Sequence, residues 1–139
     1  MFKTFITVVF LALMVILILS AWLVKDRRIH IGVLAIVFSW VTSNVIHMMI
    51  DDYSPLLVEI IINIALIYIF FQLHFWPVGE NSGPVWPVYM MVFELCIFLS
   101  HMTRITMSPT YYVILINVLF GVEVLFMIGV IWFNRFKKR

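Results

Sequence analysis

Five long runs of apolar residues follow one another along the chain, separated by short polar segments. They cover residues 4–24, 29–50, 55–76, 85–102 and 109–133. An α-helix needs about 20 apolar residues to cross the roughly 30 Å hydrocarbon layer of a bilayer. The pattern therefore predicts an all-α fold, a polytopic membrane helix bundle with five transmembrane helices. The polar segments are too short for a soluble domain, so residues 1–139 are expected to form a single integral membrane domain.

The first run has the position of a secretory signal peptide but not its pattern. Its apolar stretch is longer than the usual 7–15 residues, and Leu19-Ser20-Ala21 is a poor small-residue cleavage site. We expect this run to be retained as the first transmembrane helix.

Composition supports lipid as the solvent for most of the chain. Of its residues, 65% are hydrophobic and 12% are charged, whereas soluble domains are about half apolar and a quarter charged. This balance excludes a soluble enzyme and a disordered tail. No basic stripe is interleaved with aromatic residues, so no nucleic-acid partner is expected. The single cysteine, Cys96, cannot form an intramolecular disulfide.

Basic residues are concentrated on one side of the predicted five-helix topology. Lys3 and Arg104 fall on the other side. Because lysine and arginine favour the cytoplasmic side, we expect a bacterial inner-membrane protein with its N-terminus outside and its C-terminus in the cytoplasm. The residues that act as topology anchors in this interpretation are Lys25, Arg27, Arg28, Arg135, Lys137, Lys138 and Arg139.

The chain also resembles itself at an offset of 54 residues. Residues 47–63 align without a gap on residues 101–117, with seven identities in seventeen positions. The pattern predicts one helix followed by two tandem repeated helical hairpins, in which a Ser-Pro pair caps and starts the second helix of each hairpin. The matched pairs are His47/His101, Met48/Met102, Ser54/Ser108, Pro55/Pro109, Ile60/Ile114, Ile62/Ile116 and Asn63/Asn117.

Polar residues inside the predicted spans form a candidate site. An ionisable side chain at the centre of a membrane helix costs about 2.5–3.5 kcal/mol on the insertion scale, so its presence invites a functional explanation. All but one of these residues fall at similar depth in the outer half of the bilayer, and the last lies deeper. We expect a polar pocket that opens to the outside; the alternative is that the side chains fasten each hairpin by hydrogen bonds. The cluster consists of Asn44, His47, Glu59, Asn63, Glu94, His101, Asn117 and Glu123.

Two classes of function remain open at this point. The first is a small, oligomerising, non-enzymatic membrane protein without a cofactor, which forms or gates a pore in the manner of holin-like proteins or serves as an accessory subunit. Its partners would be the lipid bilayer and either further copies of itself or another membrane subunit. The alternative is a redox or metal-binding module in which His47 and His101 hold haem b or a transition metal. An enzymatic role stays open, but no catalytic motif favours it.

Overall fold

The computed structural model of the protein describes residues 2–49, 56–75 and 84–137. All the regular secondary structure in these ranges is helical, which confirms the all-α fold. Five α-helices are present in the described residues, and a short 3-10 helix, Thr103–Thr106, joins the last two of them. The α-helices are α1 Phe2–Ala21, α2 Arg27–Met49, α3 Leu56–Phe75, α4 Trp86–Met102 and α5 Pro109–Lys137.

Local side-chain chemistry explains where α2 begins. The backbone N–H of Arg28 donates a hydrogen bond to Oδ1 of Asp26 at 2.9 Å. A capping carboxylate satisfies a free N–H and also interacts favourably with the positive end of the helix dipole. The helix therefore begins at Arg27, two residues before the apolar run that predicts it.

The start of α5 confirms one of the two predicted Ser-Pro starts. Pro109 is the first residue of the helix, and the N–H of Tyr111 donates to Oγ of Ser108 at 3.4 Å. The equivalent pair, Ser54 and Pro55, lies outside the described residues. At its other end, α5 continues to Lys137 beyond the predicted limit of 133, because no helix breaker intervenes and basic side chains are favourable near a helix C-terminus.

Three helices are long and apolar enough to cross a membrane, namely α2, α3 and α5. Two shorter apolar helices accompany them, at Phe5–Ala21 and Trp86–Met102. These features indicate a membrane protein with transmembrane helices.

Helices that follow one another along the chain run antiparallel, as the contacts of Phe70 with Trp86 and of Tyr89 with Phe126 show, and α1 also packs against α5. The rings of Phe10 on α1 and Phe120 on α5 lie 5.5 Å apart, centre to centre. The broadest contact joins α3 to α4, which belong to different predicted hairpins. This order places the starts of α2 and α4 at one end of the bundle and the starts of α3 and α5 at the other.

The first of these ends, where α2 and α4 begin, is filled by apolar side chains and is called the packed end below. Gly32 allows the closest approach there: a Cβ on this residue would meet the Trp86 ring at 3.0 Å and the Met127 methyl group at 3.4 Å. The Phe70 ring packs edge-on against Trp86, with centroids 6.2 Å apart. The buried core consists of Met14, Leu17, Ala21, Val24, Ile29, Val33, Ile36, Leu66, Phe70, Leu73, Trp86, Met90, Val124, Met127 and Ile131.

Five of the seven predicted anchors also lie at the packed end, since they occupy the α1–α2 connection, the first residues of α2 and the last turn of α5. They are Lys25, Arg27, Arg28, Arg135 and Lys137. The other two, Lys138 and Arg139, lie outside the described residues.

Candidate functional site

A cavity of about 610 Å³ lies at the opposite end of the bundle, which is called the cavity end below. Side chains from all five α-helices line it. Seven of the eight residues of the predicted polar cluster belong to this lining: Asn44, His47, Glu59, Asn63, Glu94, His101 and Asn117. The eighth, Glu123, is buried and does not line the cavity.

Glu59, in the first turn of α3, joins the two histidines of the repeat. Nε2 of His47 lies 2.6 Å from Oε1 of Glu59, and Nδ1 of His101 lies 3.3 Å from Oε2. The hydroxyl of Ser43 donates a further hydrogen bond to Oε1 at 3.2 Å. One carboxylate therefore binds α2 and α4 at the same time. We call these residues, with Tyr112, the outer layer.

The two histidines differ in their surroundings although their sequence positions are equivalent. The side chain of His47 is 46% exposed, whereas that of His101 is 4% exposed. Nδ1 of His101 also faces the hydroxyl of Tyr112 within hydrogen-bonding distance. Each histidine pairs with a residue of the following helix. His47 with Glu59 joins the helices of the first predicted hairpin, and His101 with Tyr112 joins those of the second.

Sequence reasoning missed Tyr112, Ser43 and the placement of Arg104. The guanidinium carbon of Arg104 lies 5.2 Å from the centre of the Tyr112 ring, a cation–π geometry. Two spacing signals were present. Ser43 precedes His47 by four residues and so shares its face of α2. Tyr112 precedes Glu123 by eleven residues, close to three helical turns, and so shares its face of α5.

Asn63 and Glu94 form an inner layer with Glu123. Nδ2 of Asn63 donates to Oε2 of Glu94 at 2.6 Å, and both side chains are buried. Asn63 lies one helical turn, about 6 Å, further along α3 than Glu59. The hydrogen bond joins α3 to α4, and so connects the two predicted hairpins rather than closing one of them.

Glu123 stands midway along α5 and is 0% exposed. Among the described residues, neither of its carboxyl oxygens has a hydrogen-bond partner. The carboxyl of Glu94 is the neighbouring titratable group. Glu94 therefore lines the cavity, whereas Glu123 is buried and does not.

Two asparagines of the predicted cluster do not join helices. The amide of Asn44 donates to the carbonyl of Trp40, and the amide of Asn117 donates to the carbonyl of Val113, both at 2.7 Å. Each bond stays within its own helix, one turn back. Asn63 thus joins two helices by a hydrogen bond, whereas its repeat equivalent, Asn117, bonds within its own helix.

The arrangement suits proton exchange better than metal binding. Within residues 2–49, 56–75 and 84–137, no group of three or more histidine, cysteine, aspartate or glutamate side chains is placed to hold a metal ion. Both candidate haem ligands, His47 and His101, face the Glu59 carboxylate instead. Proton relays in membrane proteins, by contrast, consist of imidazole and carboxyl groups that follow one another along a cavity.

No protein-family model, curated protein or solved structure matches this chain, so its function has to be inferred from the cavity and the residues that line it.

Proposed function

We propose that the protein is a non-enzymatic integral membrane protein of five spans that forms a gated pathway for protons. The observation that carries this proposal is the succession of ionisable groups from the cavity end to the middle of the bundle. It starts at His47 and Glu59, continues through Glu94 and stops at Glu123. Ionisable residues at such depth are costly in a membrane and characteristically mark ion or proton pathways.

The pathway is closed at the packed end in this conformation. Beyond Glu123, α5 continues with the fully buried side chains of Val124, Met127 and Ile131. They pack in one apolar core with Phe70 and Trp86. Apolar constrictions of this kind block conduction because water does not wet them. Opening requires the helices to separate at the packed end or to associate with further copies.

The distribution of charge supports one orientation of the bundle in a membrane. The described basic anchors lie at the packed end, which the positive-inside rule places in the cytoplasm. The cavity then faces the outside of a bacterial inner membrane, with the N-terminus. The five-span count, the tandem hairpins and assembly into a homo-oligomer or with another membrane subunit all belong to this proposal.

Proton flux into liposomes tests the proposal. Purified protein is reconstituted with a pH-sensitive dye inside the vesicles, and a potassium gradient with valinomycin supplies the driving potential. We expect acidification or alkalinisation of the lumen, according to polarity, that is faster than in empty vesicles. Flux no faster than in empty vesicles at both polarities would refute a proton pathway. Equal leakage of a larger dye would replace it with a non-selective pore.

A variant with a large side chain in the cavity tests whether the proton flux passes through it. Ser43 lies on the cavity wall, whereas Val41 on the same helix is 44% exposed on the outer surface of the bundle. We expect Ser43→Trp to reduce the proton flux at least tenfold and Val41→Trp to leave it unchanged. Equal flux in the two variants would place the pathway elsewhere.

The orientation has a separate test. A reporter enzyme that is active only in the periplasm, fused after Arg139, is expected to be inactive, and one that is active only in the cytoplasm to be active. The opposite pair of results would overturn either the five-span count or the assignment of the cavity to the outside.

A further inference from the structure

The carboxyl of Glu123 lies midway along α5, outside the lining of the cavity. It is fully buried, and its two oxygens have no hydrogen-bond partner in the described part of the chain. Leaving a buried charge without a partner is strongly unfavourable, and proteins avoid it by pairing or neutralising the group. At this level α4 packs against α5, where the ring of Phe93 lies 5.6 Å from that of Phe126. Among the described residues, Glu94 is the titratable neighbour of Glu123.

Glu94 cannot satisfy Glu123 when both groups are ionised. Ionised carboxylates only accept hydrogen bonds, so two of them side by side cannot form one. Among the described residues, the side chain that donates to Glu94 is Asn63, whose amide is directed at Oε2. A proton held on either carboxyl changes this, because the protonated group then donates to the other. Paired buried carboxyls that share a proton are a known solution to this problem.

We propose that Glu94 and Glu123 form a proton-binding site that holds one proton between their carboxyl groups. In loading, a hydronium ion of the cavity water gives its proton to a carboxylate oxygen and becomes water, and the charge of the pair changes from −2 to −1. Release reverses the transfer. Its role as the innermost proton-binding group of the pathway rests on the proposed function. The pair itself rests on the burial of both carboxyls, the unpartnered oxygens of Glu123 and the packing of α4 against α5 at this level.

The two carboxyls have different access to water. Glu94 contributes to the cavity wall, and Glu123 does not. A proton therefore enters and leaves through Glu94, and Asn63 holds the Glu94 carboxyl in position through its amide. Glu123 supplies the second acceptor that retains the proton beyond the reach of the cavity.

Infrared spectroscopy of the purified protein at neutral pH tests the site directly. We expect the carbonyl stretching band of a protonated carboxyl in the wild type, and we expect it to shift in heavy water because the site exchanges with the cavity. The double variant Glu94→Gln/Glu123→Gln is expected to lose the band. Glu59→Gln, which removes a carboxyl of the outer layer, is the matched control and is expected to keep it.

The wild-type spectrum tests the site even if the double variant does not fold. Absence of the band from the wild type would refute the site, and so would an unchanged band in a folded double variant. If the double variant fails to fold, Glu123→Gln alone is expected to shift or remove the band, since the amide of glutamine donates to Glu94 in place of the proton. A band that this substitution leaves unchanged would contradict the pairing.

The infrared experiment tests the proton-binding site and the liposome experiment tests the proton pathway, so either hypothesis can be refuted without the other. A band that depends on Glu94 and Glu123 in a protein without proton flux would leave the proton-binding site intact and refute the pathway. Proton flux in a protein without the band would leave the pathway intact and refute the site.

Discussion

The two ends of the bundle are built from the same helices but differ in what fills the space between them. At the packed end, Gly32 lets Trp86 and Met127 approach α2 closely, and the interior is apolar. At the cavity end, polar side chains from different helices meet around Glu59 and enclose open space. Close packing favours a single arrangement of the helices, whereas a polar cavity contributes fewer contacts. We therefore expect the packed end to contribute most of the stability of the bundle and the cavity end to carry its chemistry.

Removing a large core side chain tests this division most strongly. Phe70 is fully buried against Trp86, whereas its neighbour Phe71 is 47% exposed on the outside of the bundle. We expect Phe70→Ala to lower the free energy of unfolding in detergent by about 3 kcal/mol, because it leaves a cavity among close-packed side chains. Phe71→Ala is the control, with a loss below about 1 kcal/mol. Similar losses in both variants would argue against a rigid packed end.

Adding volume at the packed end is expected to be the next most damaging change. Gly32→Leu forces side-chain atoms into Trp86 and Met127, and overpacking of this kind costs about 1–3 kcal/mol. Gly129→Leu provides the control, since a Cβ there meets nothing within 4 Å. The melting temperature in detergent measures both, and a loss of stability only in Gly129→Leu would reverse the assignment of the tight contact.

The two repeated asparagines are expected to differ in their effect on stability, because Asn63 belongs to the inner layer and Asn117 does not. Asn63→Leu removes the hydrogen-bond donor of a buried carboxyl, so we expect it to reduce stability by about 1–2 kcal/mol. Asn117→Leu breaks only a bond within its own helix and is expected to stay within about 0.5 kcal/mol of the wild type. Denaturant titration distinguishes the two results. Equal effects would restore the simpler idea that both residues fasten hairpins.

The repeated histidines are expected to show the smallest difference. His101→Ala removes buried contacts with Glu59 and Tyr112, whereas His47→Ala removes a half-exposed contact with Glu59. Polar contacts between membrane helices average about 0.6 kcal/mol and reach about 1.7 kcal/mol. We expect the His101 variant near the upper value and the His47 variant at or below the mean. A double-mutant cycle with Glu59→Gln measures each contact, and a larger coupling for His47 would contradict the burial.

The sequence predicted the helices and the depth of the polar residues for simple reasons. Apolar runs and capping residues determine where a helix extends, and the rise of 1.5 Å per residue converts position into depth. Because antiparallel neighbours reverse direction, residues near the end of α2 and the start of α3 had to lie at one level. Seven of the eight predicted polar residues consequently line one cavity.

The partners of these residues could not be predicted in the same way. Helices that are apolar on all sides give little indication of how each is rotated about its axis. The sequence therefore did not indicate that Asn63 binds Glu94 across α3 and α4, or that Asn117 turns back to Val113. Tyr112 was missed because aromatic residues near helix ends ordinarily belong to the membrane interface.

The packing of α1 against α5 has a consequence for the timing of biogenesis. Phe10 and Phe120 meet in the finished bundle although 110 residues separate them along the chain. At a synthesis rate of 5–20 residues per second, the ribosome needs roughly 5–20 s to deliver the second ring after the first. During that interval α1 lacks its main neighbour, and the wall of the cavity that it shares with α5 does not yet exist. Until the last helix arrives, the face of α1 that will contact α5 has to be covered by lipid or by another protein.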